Sequence, residues 1–408
     1  MREAVGEQAS GTSRSWSDLT SCCALVSAEV WMVELPFRSP VATSVGIHRK
    51  RPLALVRLVG RGADGDVIEG WGECAALGDP TYDAEDVAGT FTFLESRVLP
   101  NLVTAVSVDG TIPPVASLKR LILWADRPLA FAALEMAVAD AHLRCAGRSF
   151  ADLLGVTHQR VAPGAVLGLP RSVGELGADL VRLHGAGYAR VKVKIAPGTE
   201  SIIDRAVRPL VGSGLIVQLD ANGAYGPDAA ERLGVLDDLG LACIEQPLGR
   251  DDLEGHRQLA ASLVTPICLD ESLDSPATVV EAVDGGACSV VCVKPARLGG
   301  IGAALEVIAW CDANAVPWWI GGMFESGYAR GVNRALSALP GRSLPGDLAP
   351  PQAYLGADLV EPVPGTIDAI SGRLFVPVPS GPGMGPSPDP DLIEPLVVHR
   401  VVLDVPGA

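Results

Sequence analysis

The chain has 408 residues, 48% hydrophobic and 20% charged, with 32 basic against 48 acidic side chains and a formal net charge of −16. That length supports a large core and two domains, and that charge argues against nucleic acid or an anionic membrane as a partner. No window of about 18 uninterrupted apolar residues marks a membrane span, and residues 1–25 lack the apolar stretch of a secretion signal.

Residues 1–25 mix serine, glutamate and arginine without periodicity, so a disordered, dispensable extension is expected there. From residue 26 to about 80, three runs read as strands: AEVWMVELPF, PLALVRLVG and IEGWGECAAL. The turn RGADGD between the last two makes an antiparallel meander. Residues 84–150 read as helical, above all PLAFAALEMAVADAHLRCAG, with its apolar stripe, good helix formers and closing glycine. Residues 26–155 are therefore expected to form an α+β domain.

Between residues 156 and 369 short apolar runs recur, each followed by a helical segment: GAVLGL, ARVKVKI, GLIVQLD, LACIEQP, TPICLD, SVVCVKP and VPWWIGG. Repeated βα units in that number predict a closed parallel barrel rather than an open sheet. The Pro/Gly-rich end, about 370–408, closes on DLIEPLVVHRVVL and is expected to return to the first domain.

Each barrel run ends in a polar residue. The second ends at Lys192 and Lys194, the third at Asp220 with Asn222 beyond it, the fourth at Glu245, the fifth at Asp270 and Glu271, and the sixth at Lys294. The steps 220 to 245, 245 to 270 and 270 to 294 span 25, 25 and 24 residues, the length of one βα unit. These groups therefore share one height on successive strands, at the C-terminal mouth where barrel active sites form. Any one acid could merely cap the helix after it. Three at equal spacing, flanked by lysines, instead converge and demand a cation; oxygen-only donors suit Mg²⁺ or Mn²⁺ rather than zinc.

Lysine is scarce, occurring only at 50, 119, 192, 194 and 294, while arginine supplies the rest of the 32 basic residues. Arginine cannot shed its proton, whereas a lysine beside other cations can have its pKa lowered and act as a base. Proton removal next to a carboxylate makes an enediolate with two negative oxygens, which a divalent metal and an ammonium can stabilise. The nine cysteines form no CxxC pair and no metal spacing, which fits reduced core thiols in a cytoplasmic protein. GGIGAALE lacks dinucleotide-binding spacing, and Trp318 and Trp319 read as barrel core and outer face.

The motifs KVK, DANGAY, IEQPL, CLDES, VKPARLGGIG, GGMFESGYAR and LPGDL, with PFRSPVATSVG and GWGECAALGDPTY upstream, resemble the enolase superfamily. Within it they resemble the o-succinylbenzoate synthase / N-succinylamino acid (N-acylamino acid) racemase family, over residues 28–395. The resemblance implies an α/β, enolase-like fold: an α+β capping domain over residues 26–155 on a modified (β/α)7β barrel. It implies Asp220, Glu245 and Asp270 as Mg²⁺ ligands, and Lys194 and Lys294 as acid/bases on opposite faces of the substrate α-carbon. Lys192 would bear on the substrate carboxylate, and Asn222 and Glu271 would support the ligands. Glu325, after the seventh strand, and the capping loop Ser44–Arg49 with His48 would shape the pocket. That loop, TSVGIHRKRP, is more basic than the family pattern, which leaves the substrate open. The implied partner is a small carboxylate with a succinyl or acyl arm, bound by a homo-oligomer.

Two activities follow: 1,1-proton transfer on N-acylamino acids, or the dehydration that makes o-succinylbenzoate for menaquinone biosynthesis. Cycloisomerisation and dipeptide epimerisation are more distant alternatives, and a binding protein that has lost catalysis is the reading from another class. Arg297, three residues after Lys294, is expected to lower the Lys294 pKa by like-charge repulsion. That lowering matters for racemisation, in which Lys294 must lose and regain a proton, and not for dehydration.

Overall fold

The computed structural model describes residues 16–21, 23–43, 46–80, 82–121 and 127–407 and, of residues 41–43, 46 and 107–109, the backbone alone. Strands β1 (Ala24–Thr43), β2 (Gly46–Arg61) and β3 (Val67–Cys74) form the expected antiparallel meander. The apolar residues Val30, Val33, Leu35, Leu53 and Leu55 are buried. The helix Pro128–Cys145 lies across this sheet, and its residues 129–143 are all buried. It comes close because β3 carries Gly70 and Gly72 where it crosses: a Cβ at Gly72 would sit 1.9 Å from the Ala133 carbonyl oxygen. The helix N-terminus is held by Glu85, which accepts from the backbone N–H groups of Leu129 (2.7 Å) and Ala130 (3.3 Å).

The extension expected to be disordered is not so over its described part. Trp16, Leu19 and Cys23 are buried, Trp16 donates to Glu135 on the long helix (3.1 Å), and its ring meets Phe150 edge-on at 5.7 Å. One tryptophan buries about 150–250 Å² of surface, which anchors a short segment whose composition is otherwise polar.

After a short strand, β4 (Arg160–Val161), come seven parallel strands: β5 (Gly164–Leu167), β6 (Arg190–Lys194), β7 (Ile216–Asp220), β8 (Ile244–Glu245), β9 (Ile267–Leu269), β10 (Val290–Val293) and β11 (Trp318–Ile320). They pair in sequence order from β5 to β11. Residues 342–347 fill the remaining gap. Trp318 bridges Arg342 in parallel, Asp347 N–H donates to the Ile320 carbonyl (3.0 Å), and Gly164 N–H donates to the Gly346 carbonyl (2.7 Å). The eighth position is thus an irregular segment, and β6 and β10, four places apart in the pairing order, face each other across the barrel.

The chain end runs through β12 (Thr366–Ile367) and β13 (Leu374–Pro377), which pair beside β4, to β14 (Val397–Asp404). β14 joins the antiparallel sheet next to β1 in the order β14-β1-β2-β3. Arg51, fully buried on β2, ties that sheet to the barrel through carbonyls on both sides: Ala75 (2.8 Å) and Ala76 (2.5 Å), Met323 (3.1 Å) and Phe324 (3.2 Å). Among the described residues no helix is long and apolar enough to cross a membrane.

Candidate active site

The strand register sets the site. Lys194 on β6 stands opposite Asp220 on β7, and Asp220 opposite Glu245 on β8; Asp270 follows β9 directly, and Lys294 follows β10. Three of the barrel helices are capped by other residues: Ser172, Asp252 and Ser275 accept from the first-turn N–H groups of helices Val173–Gly185, Leu253–Ser262 and Pro276–Asp284. Glu245 and Asp270 therefore do not cap the helices that follow them, and with Asp220 they turn to the barrel mouth, where all three are buried to within 1% exposure.

The charges interlock. Lys192 Nζ lies 3.2 Å from Asp220, 3.0 Å from Glu245 and 2.8 Å from Asp347, over the face of Trp319. Lys194 Nζ bonds Asp220 (2.7 Å) and the Asn222 amide oxygen, and Asn222 in turn donates to Glu271 (2.7 Å). Lys294 Nζ bonds Asp270 (2.7 Å) and the Tyr82 hydroxyl, which itself donates to Asp270 (2.6 Å). Arg297 pairs with the other Asp270 oxygen and, at 3.3 Å, with Asp83.

These contacts set the protonation states. Burial, then the neighbouring Asp220 charge, pushes Glu245 up to about 8. Burial also opposes the charge on Asp270, yet Arg297 and Lys294 hold it far below the carboxylate range. Against the protein's own charges alone, Lys192 and Lys294 both lie above the ordinary lysine value. Burial does favour neutral Lys192, but Asp347, Glu245 and Asp220 outweigh it. At Lys294 burial and Arg297 act downward, yet Asp270 leaves the ammonium above its ordinary value.

Asn222 and Gln246 follow β7 and β8 with positive φ (44° and 39°), in a region that costs a non-glycine residue about 1 kcal/mol or more. The strained Gln246 has a use: its amide oxygen accepts from the N–H groups of Asp270 (3.0 Å) and Ser272 (3.2 Å), so it sets the turn that carries Asp270.

One cavity of about 780 Å³ opens over these groups and is lined by Lys192, Lys194, Asp220, Asn222, Tyr82 and Lys294. Its outer part is formed by Ser39 and Pro40 of β1, the loop Gly168–Arg171 and Phe324. Glu325 does not line it. Its carboxylate is turned to Arg330 (2.7 Å) and Asn333 (3.0 Å), so it holds the loop while Phe324 faces the cavity. His48 lies in β2 opposite Val41 and is not among the lining residues; Ser44 lies outside the described residues.

Asp347, Tyr82, Gln218 and Gln246 were not singled out from the sequence. Asp347 lies within LPGDL and Tyr82 ends GWGECAALGDPTY, so both sat inside quoted motifs without a role. Gln218 was legible as the inward residue two before Asp220; it donates to Glu245 (2.7 Å) and accepts from Arg190 (2.5 Å). Trp319 is fully buried in the barrel interior, in keeping with a core position and not an outer face, and its ring also meets cations, with the Arg190 guanidinium at 4.5 Å and the Lys192 ammonium at 5.0 Å.

The donor set fits a hard divalent cation: three buried carboxylates with no imidazole among them, one of them carrying a pKa raised by burial first and by the neighbouring Asp220 and Asp270 charges second. Residues 26–155 match the family described as Mandelate racemase / muconate lactonizing enzyme, N-terminal domain, and residues 175–392 the family described as Enolase C-terminal domain-like. The chain is 38% identical over 377 residues to an N-succinylamino acid racemase of an Amycolatopsis species, covering 92% of this chain and 98% of the relative. It is 35% identical over 353 residues to an o-succinylbenzoate synthase of Geobacillus stearothermophilus, covering 86% and 90%. A solved structure described as a probable mandelate racemase from Alicyclobacillus acidocaldarius superposes with a TM-score of 0.85 at 33% identity, covering 94% of this chain and 99% of that one.

Proposed function

This chain belongs to the enolase superfamily, and from that premise we propose that it is an N-succinyl- or N-acylamino acid racemase with o-succinylbenzoate synthase activity, dependent on Mg²⁺ or Mn²⁺. The observation that carries the reading is the placement of Lys194 and Lys294 on barrel strands that face each other, with Asp220, Glu245 and Asp270 between them and one cavity touching both lysines.

A divalent cation held by Asp220, Glu245 and Asp270 would supply Lewis-acid stabilisation of the charge that builds on a substrate carboxylate. The chain's own groups do the rest. One lysine Nζ takes the α-proton, the C–H electron pair moves into the carboxylate as an enediolate, and the opposite lysine returns a proton to the other face. Lys192, buried and multiply paired, stays an ammonium and adds positive charge beneath the carboxylate. Gln246 and Gln218 keep the acids aimed, and Phe324, Ser39 and Pro40 narrow the entrance against water.

One observation favours a second reading, a dedicated synthase. Lys294 is bonded to Asp270 and Tyr82, and its ammonium lies above its ordinary pKa, which suits a group that only needs to remain positive. Arg297, bonded to the same carboxylate, acts in the opposite direction and favours exchange. The test is a panel of N-succinylamino acids alongside the synthase substrate, assayed with and without added Mg²⁺. Racemisation of at least one N-acylamino acid with dehydration retained supports the first reading, dehydration alone the second, and full turnover in metal-free enzyme removes both.

A further inference from the structure

The barrel interior holds one more donor than an oxygen-only site needs: we propose that the thiol of Cys292 forms, with Glu245 and Asp270, a softer position that takes a thiophilic divalent cation such as Cd²⁺, Zn²⁺ or Co²⁺. The proposal rests on the reading of Glu245 and Asp270 as cation ligands and is independent of which reaction the enzyme performs.

The geometry follows from the strand. On β10 successive side chains alternate, so Cys292 shares the inward face with Lys294 while Val291 and Val293 pack outward in the main core. Cys292 is 2% exposed, and its sulfur and one oxygen each of Glu245 and Asp270 lie within 4.8 Å of one another. Donors around a tetrahedral ion with bonds of about 2.0–2.3 Å are about 3.5 Å apart, so closure asks for shifts of about 1 Å. Space for the sulfur is made by Gly321, just beyond the end of the neighbouring strand β11, where a Cβ would stand 2.5 Å from Cys292 Sγ and 2.8 Å from Lys294 Cε. Asp220 is not part of this group; Lys194 and Lys192 hold it to the side.

Hard cations prefer the three carboxylates, whereas a thiolate with two carboxylates shifts preference towards borderline and soft ions. On binding, the Cys292 S–H bond breaks, its proton passes to the buffer, and the sulfur electron pair forms the bond to the cation; nothing is oxidised or reduced. An ion seated there lies below the position that would serve the substrate, which makes it an inhibitory occupant competing with Mg²⁺ for Glu245 and Asp270.

The test uses the full chain, stripped with chelator and titrated with CdCl₂, with sulfur-to-cadmium charge-transfer absorption as the readout and Mg²⁺ binding measured by calorimetry on the same sample. The expected result is one charge-transfer site per chain that added Mg²⁺ displaces. Cys292→Ser should abolish the band and weaken Cd²⁺ binding by on the order of tenfold or more, while Cys243→Ser retains it. X-ray absorption on the unmutated chain should show one cadmium–sulfur bond, which decides the matter if Cys292→Ser does not fold. A band that survives in Cys292→Ser, follows Cys243 instead, or resists Mg²⁺ overturns the proposal, as does cadmium bound without sulfur. Mg²⁺ binding without a cadmium–sulfur bond removes Cys292 alone; failure of Mg²⁺ to bind removes the carboxylate site beneath it.

Discussion

The wall that carries Lys194 is open and amide-lined, whereas the wall that carries Lys294 is closed and ionic. The Lys194 side chain is 21% exposed and meets one acid and one amide, from the end of the strand next to it and the turn just beyond. Lys294 is 6% exposed and shares Asp270 with Arg297, and a tyrosine from the antiparallel domain covers it. The two lysines at one height thus stand in different surroundings: Lys194 meets near neighbours in the barrel, whereas Lys294 belongs to a network that includes a residue of the antiparallel domain. The two walls should respond differently to the same perturbation.

The largest effect should come from breaking what both walls share. Glu245→Gln should weaken divalent-metal binding by on the order of a hundredfold and abolish exchange from both enantiomers with the fold intact; calorimetry and circular dichroism check this. The same residue gives a pH test. Its folded pKa is raised to about 8 from an ordinary glutamate value of 4.5, so between those pH values the folded state binds the extra proton and stability falls as pH rises. Thermal unfolding in chelator should therefore be flatter with pH in Glu245→Gln than in the unchanged protein.

Arg297→Gln breaks one wall only. Removing it leaves Asp270 and Asp83 without that partner, and it should cut α-proton exchange from one enantiomer by about tenfold or more while largely sparing dehydration. Equal losses in both reactions, or none, would remove its tuning role. Tyr82→Phe, which deletes one hydroxyl bonded to Lys294 and Asp270, should cost about three- to tenfold on that same wall, the worth of one hydrogen bond. Trp16→Ala touches neither wall. It should lower stability by about 3 kcal/mol or more in denaturant unfolding while leaving the ratio of exchange rates for the two enantiomers unchanged.

The parts of this contrast that follow the chain locally were legible in the sequence. The acids at 220, 245 and 270 stood out because one βα unit recurs at nearly constant length, and Lys192 and Lys194 because strand alternation puts them on one face. What was not legible depends on long-range closure. Tyr82 reaches Lys294 across 212 residues. Asp347 comes from a Pro-Gly segment that gives no strand signal and takes the eighth barrel position only because Ile320 and Gly164 offer it backbone partners. Glu325 was placed near the cavity correctly in sequence but not in orientation, since Arg330 turns its carboxylate away. Trp16 was hidden by the polar composition around it.

The most direct test of two unequal bases facing each other is deuterium incorporation at the α-carbon of each enantiomer of an N-succinylamino acid in D₂O. Lys194→Ala and Lys294→Ala should each lose exchange from the opposite enantiomer, by roughly 100-fold or more, while retaining measurable exchange from the other. Equal loss from both enantiomers in both variants, or retention of both in either, would contradict the assignment of one lysine to each face.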